Sequence, residues 1–260
     1  METRKFIYFA SDFHLGAGTF TESLQREKKI VRWLNQEVKP NASELYLLGD
    51  IFECWFEYSK VIPKGFTRLL GCLAELVDAG ILVTVFTGNH DLWMFGYLEE
   101  ELGICLHKKA VKKEWEGKTF FLGHGDGLGP GDYGYKRMKK IFTNPLAQWA
   151  YSRLHPNLGL ALAQYFSSLS RKHNSEPDHF MGSEKEWLVQ YCEEKLKQEN
   201  IDYFIFGHRH LPINITLSNK KSRYINLGDW MQHFSYCLWD GTDIQYHFFE
   251  NNQGQTYEKL

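Results

Sequence analysis

Five short clusters of carboxylate, amide and imidazole side chains recur along the chain. Each directly follows an apolar run: Asp12-Phe13-His14, Gly49-Asp50, Gly88-Asn89-His90-Asp91, Gly123-His124-Gly125-Asp126 and Gly207-His208-Arg209-His210. His, Asp and Asn together supply the mixed nitrogen and oxygen donors that suit manganese, iron or zinc, and no thiolate falls in any cluster. One His after a strand is more often structural, and Gly-Asp is a common turn. Five such clusters, each at the end of an apolar run, are hard to explain that way. Alternation along a strand sends residues two apart to the same side, so Asp12 and His14 can face one point, as can His208 and His210. The adjoining glycines allow sharp turns and close backbone approach. Asp91 has two readings, an outer carboxylate that orients a neighbouring His or a helix N-cap before Leu92-Trp93-Met94.

The elements that must position these donors can be read from periodicity. Apolar runs at residues 6–10, 45–48, 82–86, 119–122 and 203–206 predict strands. Between the first three lie helical patterns, Ile30, Leu34 and Val38, then Leu69, Leu70, Leu73, Leu76 and Val77. Strand–helix–strand alternation predicts an α/β layered domain with much parallel sheet, whose site lies beyond the carboxyl ends of the strands. After Phe206, short runs at 213–217, 223–227, 236–239 and 244–249 predict a second, more antiparallel sheet. Asp240-Gly241 forms the hairpin turn between the last two runs.

The 260 residues form a single domain with one insertion, residues 132–180. The stretch 132–174 is helix-rich, broken at Asn144-Pro145 and His155-Pro156. Its last helix carries Leu158, Leu162, Tyr165, Phe166 and Leu169 on one stripe. The whole stretch 132–174 holds seven Lys/Arg against one acid, Asp132, in a chain whose net charge is −2. A basic, amphipathic insertion of this kind predicts a helical cap; the alternative is another packed helical pair. With 43% hydrophobic and 24% charged residues, disorder and fibrous repeats are excluded. The near-neutral charge, with its basic excess confined to the cap, predicts no nucleic-acid partner. The five cysteines, without a Cys-x-x-Cys pair, point to a reducing compartment rather than a disulfide framework. No signal peptide or membrane-spanning run is recognisable, so the expected location is the cytoplasm.

The order Asp-x-His, Gly-Asp, Gly-Asn-His-Asp, Gly-His-Gly-Asp, Gly-His-x-His resembles the calcineurin-like metallophosphoesterases over nearly the whole chain. The resemblance implies a four-layer αββα sandwich with two divalent ions, manganese first, iron or zinc otherwise. By motif, Asp12, His14 and His210 would hold one ion, Asn89, His124 and His208 the other, and Asp50 would bridge. Asp50, Asn89 and His90 would be the catalytic residues, with His90 donating to a phosphoryl oxygen or protonating the leaving oxygen.

Asp50-Ile51-Phe52-Glu53-x-Trp55, with His124-Gly125-Asp126 and then Asp132 and Tyr135, is further similar to the UDP-2,3-diacylglucosamine pyrophosphatase branch of lipid A synthesis. That branch also has a helical cap, ending in Ser-x-x-x-Asn-x-x-Lys. Here Ser170 and Asn174 match and Pro177 stands in the Lys position. Best-known members have Gly-Asn-Arg-Asp where this chain has His90, and Gly-Ala-Trp where it has Gly228-Asp229-Trp230. The likeness implies hydrolysis of an acylated sugar nucleotide to UMP and 2,3-diacylglucosamine 1-phosphate. The substrate contacts would be Asn89, His90, Asp132, Tyr135, Ser170, Arg171, Lys172, Asn174 and His208. The basic, apolar cap face suits an anionic inner-membrane surface; no protein partner is inferable. A general phosphomonoesterase or phosphodiesterase with another capped substrate is the alternative, since His90 can protonate an alkoxide leaving group.

Overall fold

The computed structural model describes residues 5–131, 133–173, 180 and 182–257, with backbone alone for 168 and 170–173. Strands β1 (Phe6–Ala10), β2 (Ala42–Leu47), β3 (Leu82–Phe86) and β4 (Cys105–His107) run parallel side by side. They are joined through α1 (Phe20–Trp33), a π-helical turn and the short α2 (Lys39–Asn41), then α3 (Thr67–Asp78) and α4 (Tyr97–Leu102). A second sheet has the order β5 (Val111–Trp115), β6 (Lys118–Leu122), β7 (Tyr203–Phe206), β9 (Arg223–Leu227), β8 (Pro212–Thr216), with β6, β7 and β9 parallel. Helices α5 (Tyr133–Phe142), α6 (Pro145–Tyr151), α7 (Pro156–His173) and α8 (Trp187–Leu196) lie between β6 and β7 in sequence.

The central strands are apolar on both faces, and the two-residue period divides each between two cores. On β1, Ile7 and Phe9 face the second sheet, while Tyr8 and Ala10 pack with Ile30 and Trp33 of α1 and Leu69 and Leu73 of α3. On β7, Tyr203 and Ile205 meet the first sheet, while Phe204 and Phe206 pack with Leu188 and Cys192 of α8. The layers are therefore helix, sheet, sheet, helix, the αββα arrangement.

The closing strands depart from the sequence expectation. β8 and β9 join the second sheet, but β10 (Ser235–Trp239) and β11 (Ile244–Phe248) return to the first, β10 antiparallel to β1. The reason is visible in Ser235–Trp239: all five residues are buried, Cys237 and Trp239 between the sheets and Tyr236 and Leu238 against the helices. Such a strand needs cover on both faces, which an edge position would not give. β4 and β5 were not anticipated: β4 is three residues long, and β5, Val-Lys-Lys-Glu-Trp, has a charged centre.

Helices α5 to α7 follow the predicted breaks. Asn144 caps α6 by accepting from the amides of Leu146 and Ala147. The stripe Leu158, Leu162, Tyr165, Phe166 and Leu169 does not enter a core; every member is at least 36% exposed.

Candidate metal centre

The five clusters converge where the carboxyl ends of β1, β2 and β3 meet those of β6 and β7. The loops are knitted by backbone bonds: the amide of Asp12 to the carbonyl of Gly49 (3.0 Å), His14 to Asp50 (2.9 Å), and Gly207 to His124 (2.9 Å). Strand alternation is not what brings the donors together, because the strands have already ended. Asp12, His14, Asp50, His208 and His210 all have left-handed backbone, with φ of 57°, 44°, 53°, 71° and 53°. Each such residue costs about 1–3 kcal/mol, a strain that collects at functional sites. Nor do His208 and His210 face one point. His208 Nδ1 lies 2.9 Å from Asn89 Oδ1, whereas His210 Nε2 lies 3.2 Å from His14 Nε2.

Two half-sites result. In one, His14 Nε2 is 3.7 Å from Asp12 Oδ1 and His210 Nε2 is 3.5 Å from the same oxygen. In the other, Asn89 Oδ1 stands 3.1 Å from His124 Nε2, near His208. Asp50 Oδ2 lies between them, 3.6 Å from His14 Nε2 and 3.3 Å from His124 Nε2. Among the described residues, three donor groups are close enough to share a cation: Asp12, His14 and His210; His14, Asp50 and His90; Asp12, Asp50 and His124.

The donor chemistry fits cations. Asp50 Oδ1 accepts the amide of His90 (2.9 Å), but Oδ2 is buried with no hydrogen-bond partner, a costly arrangement for a carboxylate unless a cation neutralises it. His124 Nδ1 must donate to the Leu48 carbonyl at 2.8 Å, which leaves a lone pair on Nε2 facing the site. His14 Nδ1 likewise donates to Glu53 (3.0 Å), and His210 Nδ1 approaches Asp229 (3.4 Å). Lone pairs therefore face inward, fixed from outside by carboxylates and a carbonyl, the usual outer support of metal-ligating imidazoles.

Without a cation, protons answer the same charges. Burial opposes the charged form of His14, yet the Asp12 carboxylate at 3.7 Å, the hydrogen bond to Glu53 and the charge of Asp50 hold it up to about 9. Burial likewise opposes the His124 imidazolium, but the charge of Asp50, whose Oδ2 lies 3.3 Å from Nε2, raises it to about 10. Asp50 is held well below the usual carboxylate range despite burial, chiefly by His124 and His90. His208 is pushed down to about 4 by burial and the charge of His124, and stays neutral.

Close packing makes glycine obligatory here. A Cβ at Gly88 would sit 2.2 Å from Asp50 Oδ1, and one at Gly207 2.4 Å from Asp12 Oδ2.

Asp91 fulfils neither expectation. It is buried and accepts the amides of Gly88 (2.6 Å), Ile51 (2.8 Å) and Phe52 (3.3 Å), so it ties the Asp50 loop to the Asn89 loop. Residues 92–94 are not helical, so it caps nothing. Burial and the charge of Asp50 raise it to about 7.

Tyr135 donates to Asp126, two residues beyond His124, as does Lys139, which fastens α5 to that loop. Asp132 and Asn174 lie outside the described residues, as do the side chains of Ser170, Arg171 and Lys172. Sequence reasoning assigned no role to Glu53, Asp229 or Glu186. Glu53 and Asp229 fall within motifs already singled out, and burial of an acid was the missing signal. Glu186, 1% exposed, grips Arg209 with both oxygens (2.9 and 3.1 Å) and so fixes the turn between His208 and His210. Nothing in the sequence marks it.

A four-layer sandwich that gathers inward-facing Asp, Asn and His donors at its strand ends defines a class of metal-dependent phosphoesterases. The chain belongs to the calcineurin-like phosphoesterase family, whose profile matches residues 7–212. It is 38% identical over 259 residues to the UDP-2,3-diacylglucosamine hydrolase of Porphyromonas gingivalis, covering 93% of this chain and 96% of that one. It is 29% identical over 239 residues to the protein of that name from Tolumonas auensis, covering 91% and 94%. Among solved structures it is similar to Yfce, a phosphoesterase from E. coli, with TM-score 0.45 and 15% identity, covering 94% of this chain and 100% of that one.

Proposed function

We propose that this chain is a two-metal phosphohydrolase that cleaves UDP-2,3-diacylglucosamine to UMP and 2,3-diacylglucosamine 1-phosphate. The observation that carries the chemistry is the inward-facing donor set around the unpartnered Asp50 Oδ2. The substrate is supported by relatives that bear that name across nearly their whole length. Asp12, His14 and His210 would hold one ion and Asn89, His124 and His208 the other, with Asp50 shared; manganese suits this N/O set. Held by these residues, two such ions would supply hydroxide at neutral pH and would offset charge on the phosphoryl oxygens.

The chain's own residues do the rest. The Glu53 carbonyl, 3.1 Å away, takes the Nδ1 proton of His90, so its Nε2 is the nitrogen that, when protonated, donates to a phosphoryl or leaving oxygen. Asn89 Oδ1 and His208 Nδ1 stand 2.9 Å apart in the neighbouring half-site, and Asp50 is held at Oδ1 by the His90 amide. Residues 132–180 act as a cap. Trp93, in the loop that carries Asn89 and His90, donates to the Phe142 carbonyl at the end of α5 (2.9 Å) and packs on Tyr151 of α6. The exposed stripe of α7 is suited to acyl chains, and Tyr135 and the cationic end of α7 to the diphosphate.

No helix of the described residues is long and apolar enough to cross a membrane. Exposed Ile141, Leu146 and Trp149 beside Lys140 and Arg153 suit contact with an anionic lipid surface, the source of an acylated substrate.

The test is UMP release from UDP-2,3-diacylglucosamine by the purified chain. Activity should vanish on chelation and return with Mn²⁺. Turnover of bis-p-nitrophenyl phosphate with no UMP release would favour the general esterase instead. Gly88→Ala, which drives a methyl into Asp50, should lose bound metal and cut turnover by about 10²-fold or more, judged by mutations of groups that support metal ligands. Wild-type metal content and rate in that variant would refute the close packing.

A further inference from the structure

Glu53 stands where two parts of the molecule meet. The bridge between Leu15 and Phe52, and the amide of Glu53 donating to the Leu15 carbonyl (2.9 Å), set it beside His14. Ile51 and Phe52 before it are buried in the core, so the loop cannot shift. One carboxylate oxygen takes the Nδ1 proton of His14 (3.0 Å) and the other takes the hydroxyl of Ser167, from the middle of α7. The Ser167 hydroxyl also lies 3.3 Å from His90 Nδ1, whose ring stands edge-on to His14 with centroids 4.9 Å apart. Ser167 is thus a point where a helix of residues 133–173 touches a group that orients a member of the donor cluster.

We propose that Glu53 is a positioning residue that aims His14 Nε2 at its metal ion and links the seating of α7 to occupancy of that half-site. This rests on the reading of His14 as a metal ligand. The physical cause is the shared carboxylate. An ion on Nε2 makes Nδ1–H a stronger donor, which draws Glu53 toward His14 and fixes the oxygen that Ser167 needs. Linkage is reciprocal: if metal seats the helix, the seated helix tightens the metal.

The test titrates the metal-stripped full chain with Mn²⁺ and follows backbone hydrogen exchange across α7 with and without Mn²⁺. Glu53→Ala should weaken one of two Mn²⁺ sites by about 10- to 100-fold, the usual effect of losing an outer carboxylate. Glu53→Gln keeps an oxygen for His14 and should fall between that variant and wild type. Ser167→Ala contacts no metal, yet should weaken the same site by about 3- to 10-fold and abolish the Mn²⁺-dependent slowing of exchange in α7. Ser167 is not buried, so this variant should fold. Wild-type Mn²⁺ affinity together with wild-type protection in Ser167→Ala would overturn the coupling. Two wild-type Mn²⁺ sites in Glu53→Ala would overturn the positioning role. Wild type that binds no Mn²⁺ would overturn both this inference and the two-metal reading beneath it.

Discussion

Asp50→Asn should lower kcat by about 10³-fold or more, some 4 kcal/mol of barrier, while the metal-free variant melts within about 3 °C of wild type. The two halves of this result have separate causes. The amide oxygen of Asn can still accept the His90 amide that Asp50 Oδ1 now takes, so the loop keeps its shape. What is lost is the negative charge at Oδ2, buried and without a hydrogen-bond partner, facing His14 and His124. An amide there cannot hold two cations close together. Metal analysis and turnover on bis-p-nitrophenyl phosphate read the effect without depending on the natural substrate. Undiminished turnover with two ions bound would remove Asp50 from the bridging role.

A second large effect should discriminate between substrates. Replacing Leu158, Leu162 and Phe166 together by Ser should lower kcat/KM for UDP-2,3-diacylglucosamine by about 10²-fold or more and leave bis-p-nitrophenyl phosphate hydrolysis unchanged. These side chains are 52%, 36% and 63% exposed, so their loss removes little from the folded core, and exposed positions usually tolerate substitution within about 0.5 kcal/mol. Covered by an acyl chain, each would contribute about 1.5–3 kcal/mol. Even half of one full set amounts to about two powers of ten in affinity or rate. Equal losses on both substrates, with a lowered melting temperature, would instead mean that the stripe is structural. The comparison is informative because Ser167 and Gln164 lie on the same helix as the stripe, and Gln164 lines a groove of about 470 Å³ with Glu53, Lys64 and Phe66.

Much of the site was legible in the chain because its donors sit in short motifs that follow strongly apolar strands. The clusters that hold Asp12, His14, Asp50, Asn89, His124, His208 and His210 stand out by residue type and position after apolar runs, and the resemblance to the family implied which of their members would be ligands. β1, β3, β7 and β9 fall where their apolar runs lie. The three helices after Tyr133 break where Asn144-Pro145 and His155-Pro156 require.

Other features could not be read from local pattern. The return of β10 and β11 to the first sheet depends on which face is left to cover beside β1, a question of three-dimensional packing rather than of period. The left-handed turns at Asp12, His14 and His210 depend on loops bonded to one another across the sheet. Glu53, Asp229 and Glu186 act through burial beside partners 39, 19 and 23 residues away. The sequence alone determined the kinds of donor, their order and the strands that carry them, because residue type and short-range period are local properties. Only the tertiary structure decided which lone pairs face each other, which oxygen is left without a partner and which carboxylates hold the imidazoles. Those depend on distances between distant segments, which are set when the two sheets close on their shared core.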